Sequence, residues 1–538
     1  MRLMKDLLGY KLMLAFEGTK PPPRILSWLA ERPVGGFSLF LPLNVNNPGQ
    51  VRELTDRLQT AVPANQPSLL IATDQEGGQL VALGAETTHF PGNMALAATR
   101  DPELARRVGQ AIGAEMAAMG VNINYAPNCD INTNPDNPAT GIRAFGDEPE
   151  LAAQLSGAMV TGLQSAGVAA TMKHFPGKGG AKVDSHYELP LIDHSRERLE
   201  QMELRPFRAA VAAGVKLAMT GHFAIPSLTE YPDLPATLSR AVMHDFVRQE
   251  VGFDGVTITD ALDMGALTQG AGQIIDIITA VRAEVDLLLT MNQPEVQERI
   301  YAGLQLAYSR GLIDESHIKQ SVARIFDLQK WVSQQTQPDI SVVGCAEHRA
   351  LDAEVARRSI TLVRNEADLL PLRLASDAKI AVIMPQPKDL TPADSSSYVK
   401  PGLATAVSAY HPHVDEFITG HPPTNQEIAA LRAKAAQYDL LIIGTISASM
   451  QPEQAALVNE LLALNIPTIT VALRTPYDLR AYPQAQTHLC TYSILEPSMQ
   501  ALAAALWGHA PLTGRLPVTI QNLYNFGHGL AHETISRR

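Results

Sequence analysis

The segment "KHFPGKGGAKVDSHYELP", residues 173–190, carries a Lys-His pair and an Asp-Ser-His triplet around a glycine-rich stretch. Asp184 and His186 lie two residues apart, so a folded turn would let the carboxylate hold one imidazole nitrogen while the other faces a substrate. Such an arrangement orients a histidine for proton transfer. A surface-loop histidine needs no such partner, and the adjacent aspartate therefore favours an acid/base role for His186.

The residues between these two motifs predict a mobile, solvated lid. Gly177, Gly179 and Gly180 would give the backbone freedom to move, and Lys178 and Lys182 would keep the segment in water. A histidine with a purely structural role would not need such a hinge.

Two aspartates follow apolar, strand-like runs elsewhere in the chain. Asp260, at the end of "GVTITD", is consistent with a nucleophile but equally with the N-cap of a following helix. Asp74 in "ATDQEGG" precedes Gly77 and Gly78, which predict a tight turn that a ligand or a neighbouring backbone approaches closely. The local sequence leaves these interpretations open.

The elements that must position these residues form a regular alternation. Eight short apolar runs rich in β-forming residues alternate with alanine-rich amphipathic stretches such as "PELARRVGQAIGAEMAAMG". The runs are "KLMLAFEG", "GGFSLFLPL", "SLLIATDQE", "GVNINYAP", "VAATMKHF", "VKLAMTGHF", "GVTITDA" and "VDLLLTMN". This rhythm predicts a (β/α)8 TIM barrel.

Polar residues recur at the carboxyl ends of these runs, where barrel enzymes build their active sites. Packing alone does not explain the recurrence, because charged side chains at core positions are costly unless they are paired. These residues are Asp74, Asn128, Asp130, Lys173, His174, His222, Asp260 and Asn292.

A second α/β domain is predicted after the barrel. The runs "KIAVIMP", "DLLIIGT", "IPTITVAL" and "THLCTYSI" alternate with helical stretches, which predicts an α/β/α sandwich. We expect the barrel over residues 1–335, a polar linker over 336–345 and the sandwich over 346–538. The length of 538 residues also favours two domains. No glycine-rich phosphate motif supports a nucleotide-binding role.

Composition excludes several classes of function. The formal charge of -12 and the absence of a basic run argue against nucleic acid as a partner, and no apolar run is long enough for a membrane span. Charged residues interrupt the apolar N-terminus, so we expect no signal peptide and a cytoplasmic location. The cysteines, Cys129, Cys345 and Cys490, are few and far apart, and neither a metal nor an organic cofactor is predicted.

Several motifs, in order, resemble the β-N-acetylglucosaminidases of glycoside hydrolase family 3. The resemblance spans residues 5–335 through "AFEGT", "TDQEGGQ", "FPGNMALAAT", "NYAPNCDI", "RAFGDEP", the 173–190 segment, "MTGHFAIP" and "GFDGVTITDALDMGAL". The later "ARRSITLVRNEADLLPL" and "HAPLTGRLPVTI" resemble the C-terminal sandwich of the family.

The resemblance implies a retaining, exo-acting enzyme that removes terminal N-acetylglucosamine from saccharides derived from peptidoglycan or chitin. Asp260 would be the nucleophile and His186 the acid/base, with Asp184 orienting His186. The sugar hydroxyls would contact Asp74, Arg143, Lys173 and His174, while Asn128 and His222 would line the same pocket.

The sequence departs from the family pattern at two positions and leaves three alternatives open. Lys178 replaces the histidine of the usual Pro-Gly-His-Gly, and Gln79 stands where many relatives carry arginine.

A β-glucosidase of the same family would take its acid from a second-domain glutamate, for which Glu496 is the candidate. Phosphate could replace water as acceptor, attracted by Lys178. A catalytically inactive sugar-binding protein is the third alternative.

Overall fold

The computed structural model describes residues 6–229 and 231–531. The first domain is a barrel of eight parallel strands in the order β10-β1-β2-β3-β6-β7-β8-β9. A parallel bridge between Ile258 and Leu287 brings the two ends of this sheet together. The strands are β1 (Leu12–Leu14), β2 (Gly36–Ser38), β3 (Leu70–Thr73), β6 (Ile123–Asn124), β7 (Ala169–Phe175), β8 (Leu217–Thr220), β9 (Val256–Thr259) and β10 (Leu288–Leu289). The loop after β3 forms a hairpin of β4 (Gln75–Gly77) and β5 (Leu80–Val81).

The barrel helices surround the strands, and several begin with proline. Proline is tolerated in the first helical turn because N–H groups there have no acceptor within the helix. Side chains that precede some of the helices cap other N–H groups. Asp101, for example, caps the helix Pro102–Ala118 by accepting from the N–H groups of Glu103 and Leu104. The helices span Pro23–Glu31, Leu41–Asn44, Pro48–Thr60, Asn93–Thr99, Pro102–Ala118, Pro149–Ser165, Arg196–Gln201, Leu204–Ala212, Gln273–Arg282, Pro294–Ser309 and Glu315–Ser333, with a π-helix at Ala241–Glu250.

Apolar side chains fill the inside of the barrel below the site. Met13, Leu70, Ile123 and others from the strands form one buried cluster with side chains of the helix Glu315–Ser333, which closes the bottom. Full burial of one such side chain stabilises the fold by about 1.5–3 kcal/mol. The polar groups at the opposite, carboxyl end therefore stand on a rigid base.

The second domain is an α/β/α sandwich around a six-stranded sheet, as predicted. Its strand order is β11-β16-β15-β14-β12-β13, parallel except for the antiparallel pair of β11 and β16. The strands are β11 (Thr361–Asn365), β12 (Ile380–Pro385), β13 (Val414–Thr419), β14 (Leu440–Thr445), β15 (Thr468–Ala472) and β16 (Thr487–Cys490). The helices are Ala346–Ser359, Leu403–Ser408, Asn425–Ala435, Pro452–Leu462 and Glu496–Leu506. Alternate residues of β12 enter two different apolar clusters, one on each face of the sheet.

The two domains share a hydrophobic contact. Met94, Ala95 and Ala98, in the helix Asn93–Thr99, belong to the same buried cluster as Tyr477 and Leu516 of the sandwich. The sandwich is thereby packed against the carboxyl end of the barrel. The domain boundaries at 335 and 346 stay predictions.

Within 6–229 and 231–531, every helix is too short or too polar to cross a membrane.

Candidate active site

A cavity of about 580 Å³ opens at the carboxyl ends of the barrel strands. Its size lies within the range of small-molecule sites. Six of the nine predicted site residues line it, namely Asp74, Arg143, Lys173, His174, His186 and Asp260. The structure therefore brings these six side chains to one cavity, and their roles stay predictions.

The other three predicted residues lie behind the cavity wall. Asp184 supports His186 from below the surface. The expectation that Asn128 and His222 line the pocket is wrong, because both are fully buried outside the cavity lining. His222 instead bonds through Nδ1 to the Thr237 hydroxyl at 2.9 Å and through Nε2 to the carbonyl of Ala261 at 3.1 Å, which fixes the residue after Asp260.

Ion pairs form the floor of the cavity. Nζ of Lys173, in β7, lies 2.6 Å from Asp74 Oδ1 and 2.5 Å from Glu76 Oε1. Arg143 donates to both oxygens of Glu76 at 2.8 and 3.0 Å. Burial by itself would raise the pKa of Glu76, but Arg143 and Lys173 lower it to about 2. Glu76 therefore stays ionised and holds both cations in place.

His174 is held by a second buried carboxylate. Its Nδ1 donates to Asp130 Oδ2 at 2.8 Å, while Asp130 Oδ1 accepts from the N–H of Lys178 at 2.8 Å. Burial, followed by the charge of Lys178, lowers the pKa of His174 well below its usual value. The imidazole is therefore neutral near pH 7, and its Nε2, which lies 4.0 Å from Asp260 Oδ2, is left as an acceptor.

Asp260 follows β9 directly. Its N–H donates to Thr220 O at 3.0 Å, and its Oδ1 accepts from the N–H of Ala261 at 2.9 Å. A turn and not a helix follows, so the N-cap interpretation is wrong. Burial by itself would raise the pKa of Asp260, but His174, Lys178 and His222 lower it well below the ordinary range. An ionised carboxylate thus lines the cavity, as a nucleophile requires.

Asp184 and His186 form a hydrogen-bonded pair at the cavity wall. His186 Nδ1 donates to Asp184 Oδ1 at 2.7 Å, and the His186 N–H donates to the same oxygen at 3.0 Å. Burial by itself would raise the pKa of Asp184, but the hydrogen bonds and charge of His186 lower it. The N–H of Gly265 holds the loop by donating to the His186 carbonyl at 2.9 Å. An oriented imidazole and an ionised aspartate therefore face one cavity.

Comparison with known proteins identifies the family. Residues 9–328 match the glycosyl hydrolase family 3 N terminal domain, and residues 360–531 match the glycosyl hydrolase family 3 C-terminal domain. The chain belongs to glycosyl hydrolase family 3.

Two relatives of this family 3 chain match nearly its whole length. Beta-hexosaminidase A of Pseudoalteromonas piscicida is 31% identical, over 96% of this chain and 97% of that protein. The structure of a glycoside hydrolase family 3 beta-N-acetylglucosaminidase from Paenibacillus sp. str. FPU-7 superposes with a TM-score of 0.90 at 36% identity, covering 96% of this chain and 98% of that one.

A shorter relative matches only part of the chain. A beta-hexosaminidase of Alkalilimnicola ehrlichii is 35% identical over 295 residues, which make up 54% of this chain and 82% of that protein. That protein is therefore too short to contain both domains of this family 3 chain.

The loop that contains the glycines and Lys178 is not the solvated lid that the sequence predicted. Lys178 is only 2% exposed. A Cβ added at Gly179 would lie 1.7 Å from the carbonyl oxygen of Ile131, so this glycine serves close packing and not mobility. Lys182, by contrast, is exposed as expected.

Lys178 is instead an enclosed cation behind the reacting groups of the family 3 site. Its Nζ is buried and forms no hydrogen bond to any residue that the structure describes. Burial lowers its pKa, and Asp260, Asp130 and Asp184 each act to raise it. Lys178 therefore balances buried negative charge around the nucleophile and the acid/base pair.

We expect Lys178→Met to shift the acid side of the pH profile. Lys178 helps to depress the pKa of Asp260, so removing its charge raises that pKa, and the ionised nucleophile is lost at a higher pH as the solution is acidified. The measurement is kcat/KM against pH with an aryl N-acetylglucosaminide. Lys182→Met on the same loop is the matched control, and identical acid limbs in both variants would contradict the account.

The second domain contributes a wall that sequence reasoning missed. Asp389, Pro392, Ala393, Asp394, Ser395 and Tyr398 line the cavity beside the barrel residues. Glu496, the candidate acid of the β-glucosidase alternative, is exposed at the start of its helix and lies outside the cavity lining. No motif in the sequence marked the wall segment, since its position depends on how the two domains pack.

Glu76 and Asp263 were missed as site residues, and Asp130 was noted at a strand end but not as the partner of His174. Glu76 and Asp130 sit inside quoted motifs and could have been nominated as partners for the nearby cations, because buried charges need opposite charges. Asp263 lines the cavity three residues after Asp260, and burial together with Asp260 raises its pKa.

Proposed function

We propose that this chain is a retaining, exo-acting β-N-acetylglucosaminidase that removes terminal N-acetylglucosamine from short saccharides. The observation that carries this proposal is the 2.7 Å Asp184–His186 pair on the wall of the cavity that also holds ionised Asp260. Most glycosidases use two carboxylates. A nucleophilic carboxylate beside a histidine-aspartate pair instead is what the resemblance to the β-N-acetylglucosaminidases implies.

In the first step the Asp260 carboxylate attacks the anomeric carbon and forms a glycosyl ester. The bond from that carbon to the leaving oxygen breaks, and protonated His186 gives its proton to that oxygen. In the second step water attacks the anomeric carbon, His186 takes the water proton, and the Asp260 carboxylate leaves. Two displacements at one carbon retain its configuration.

Asp184 supports proton transfer by His186 at the cavity wall. Its carboxylate stabilises the imidazolium that must exist before the first step and re-form in the second. It also accepts from Nδ1, which leaves Nε2 of His186 as the nitrogen that exchanges the proton with substrate. Asp184 thus orients the ring without touching the sugar.

The floor groups are suited to hold the terminal sugar. Asp74 and the neutral His174 present acceptors to hydroxyl groups, and Lys173 and Arg143 present donors. Because these cations are already paired with Glu76, their positions do not depend on substrate. Binding therefore meets a site that is organised in advance.

The names of the relatives support the 2-acetamido sugar as substrate. The full-length relatives carry the names beta-hexosaminidase A and beta-N-acetylglucosaminidase. Neither name states a leaving group, and the choice between peptidoglycan and chitin fragments needs a separate argument.

A panel of aryl β-glycosides that differ only at the 2-position tests the proposal. We expect turnover of the N-acetylglucosaminide to exceed that of the glucoside by roughly 100-fold or more, because a site that binds the acetamido group rejects the sugar lacking it. Preference for the glucoside would support the β-glucosidase alternative. No turnover of either would support the inactive sugar-binding alternative.

Phosphate remains a second candidate for the acceptor. A neutral histidine repels an incoming anion less than a carboxylate acid/base would, by about 1–4 kcal/mol at about 4 Å. The expectation that Lys178 attracts phosphate is wrong, because its ammonium is enclosed and the residue does not line the cavity. Asp263 and Asp389, by contrast, face the cavity. The hypothesis that phosphate is the acceptor therefore depends only on the His186 imidazole.

We expect free N-acetylglucosamine to remain the main product at high phosphate concentration. The measurement is the ratio of sugar-1-phosphate to free sugar from an aryl N-acetylglucosaminide in phosphate buffer, with sulfate buffer of equal ionic strength as control. Sugar-1-phosphate as the main product would contradict this expectation. The cytoplasmic location stays a prediction from the sequence.

A further inference from the structure

The mouth of the cavity is built by both domains. The segment from Asp389 to Tyr398, here called the wall segment, belongs to the second domain and lines the cavity opposite barrel residues such as Tyr187 and Asp263. Tyr398 is 62% exposed and Tyr187 is 69% exposed, whereas Arg143, Lys173 and His174 on the floor are buried. The exposed rim therefore marks the entrance.

Backbone hydrogen bonds fix the wall segment to the barrel. The Ser395 N–H and hydroxyl both donate to Gln79 O, at 2.7 and 3.0 Å. The Ser395 hydroxyl also accepts from the N–H of Val81 at 3.0 Å. Gln79 Nε2 donates to Ala393 O at 3.1 Å. Gln79 thus connects the two domains.

A buried ion pair supports the same segment from the other side. Arg474 donates to Asp394 Oδ2 at 2.9 Å and to Gln79 Oε1 at 2.6 Å, and all three side chains are almost fully buried. A segment held at both side chain and backbone is a fixed part of the cavity wall. It can therefore select among substrates.

The leaving group of an exo-acting enzyme must occupy this mouth. The terminal sugar enters the floor, where Asp260 attacks, and His186 protonates the oxygen that joins it to the next residue. Tyr187 directly follows His186 and lines the same mouth. The exposed rings of Tyr187 and Tyr398 at this mouth suit the apolar faces of a pyranose.

The mouth carries negative charge without an available cation. Among the described residues that line the cavity, Arg143 and Lys173 are the only lysine or arginine side chains, and both are buried and paired with Glu76. Asp389 is partly exposed at the mouth, and its oxygens accept from the N–H and hydroxyl of Ser397. Lys182 and Lys388 are exposed nearby in sequence but do not line the cavity.

We infer that the mouth selects a neutral or cationic amino sugar as leaving group, such as the N-acetylglucosamine or glucosamine of a chitin fragment. It disfavours a leaving sugar that bears a carboxylate, such as muramic acid. Asp389 is the second-domain residue responsible for this selection. This inference rests on the proposed function and names its substrate class.

Four disaccharides with the same terminal β-1,4-linked N-acetylglucosamine test the inference. Their reducing residues are N-acetylglucosamine, glucosamine, N-acetylmuramic acid and the methyl ester of N-acetylmuramic acid, and the ester matches the acid in shape without its charge. We expect kcat/KM to be higher for the ester than for the acid by about two- to five-fold at low salt. Added salt should reduce this difference, because it screens exposed charges.

Asp389→Asn should remove most of the difference between acid and ester, whereas Asp377→Asn should leave it unchanged. Asp377 is an exposed aspartate of the same domain outside the cavity lining, so it controls for net charge. Wild-type salt dependence gives a readout even if Asp389→Asn disturbs its loop.

Equal or faster hydrolysis of the acid by the wild-type enzyme would overturn the inference while leaving the proposed function intact. So would an acid-to-ester ratio that neither salt nor Asp389→Asn changes. No hydrolysis of any disaccharide or of the aryl N-acetylglucosaminide would instead refute the proposed function itself.

Discussion

We expect Asp260→Asn to lower turnover of every N-acetylglucosaminide by roughly four orders of magnitude, because the variant loses a catalytic group that acts in both steps. The amide keeps the shape of the side chain but cannot attack as an anion. The buried cations and imidazoles around it keep the carboxylate ionised in the native protein, and this is the property the variant loses. The measurement is steady-state kcat/KM, with Glu496→Gln as an exposed control that should remain fully active.

Covalent trapping identifies the same residue independently. A fluorinated N-acetylglucosamine donor with a good leaving group should accumulate as an ester on Asp260, because fluorine slows both steps while the good leaving group speeds only the first. Mass spectrometry of a digest locates the label. A label on Asp74 or Glu76, the two carboxylates that contact Lys173, would contradict the assignment.

His186→Ala affects substrates according to how much their leaving group needs a proton. A sugar alkoxide is a poor leaving group, so we expect kcat/KM for a disaccharide to fall by roughly 10²–10⁴-fold. A nitrophenolate or fluoride leaves without protonation, so kcat/KM for a nitrophenyl or fluoride substrate should fall far less. The comparison of kcat/KM for these substrates separates proton donation from binding.

Asp184→Asn should show the same selectivity in weaker form. An amide can still accept from Nδ1 but no longer balances the charge of the imidazolium, so the ring stays oriented while its protonated form is less stable. Equal losses on disaccharide and nitrophenyl substrates in both variants would mean that the pair positions the substrate and transfers no proton.

The barrel could be predicted in detail because its local signals agree. All eight predicted apolar runs contain a barrel strand, and the polar residues after them meet at one edge because parallel strands end together. In the sandwich, β11 and β13 were not predicted as strands. Asp415 and Glu416 are exposed on β13, an edge strand, so its sequence lacks the apolar run that marked the central strands.

The pairing of side chains within the candidate site could be predicted where a single loop defines it. Asp184 and His186 lie two residues apart, so local sequence was enough to pair them. Lys178 was misread as solvated because the next residue, Gly179, packs closely against Ile131, and because charged groups from other elements, such as Asp260, act on the Lys178 ammonium. Asp389 lies more than a hundred residues beyond Asp260, and no local pattern reveals that the two line one cavity.

A proton NMR time course of an aryl N-acetyl-β-glucosaminide with the wild-type enzyme tests directly whether Asp260 acts through a double displacement. It detects both the sugar that is released and the configuration in which it first appears. A double displacement through Asp260 predicts that β-N-acetylglucosamine appears first and converts to the α anomer only by slow mutarotation. First appearance of the α anomer, or no release of N-acetylglucosamine, would contradict the account.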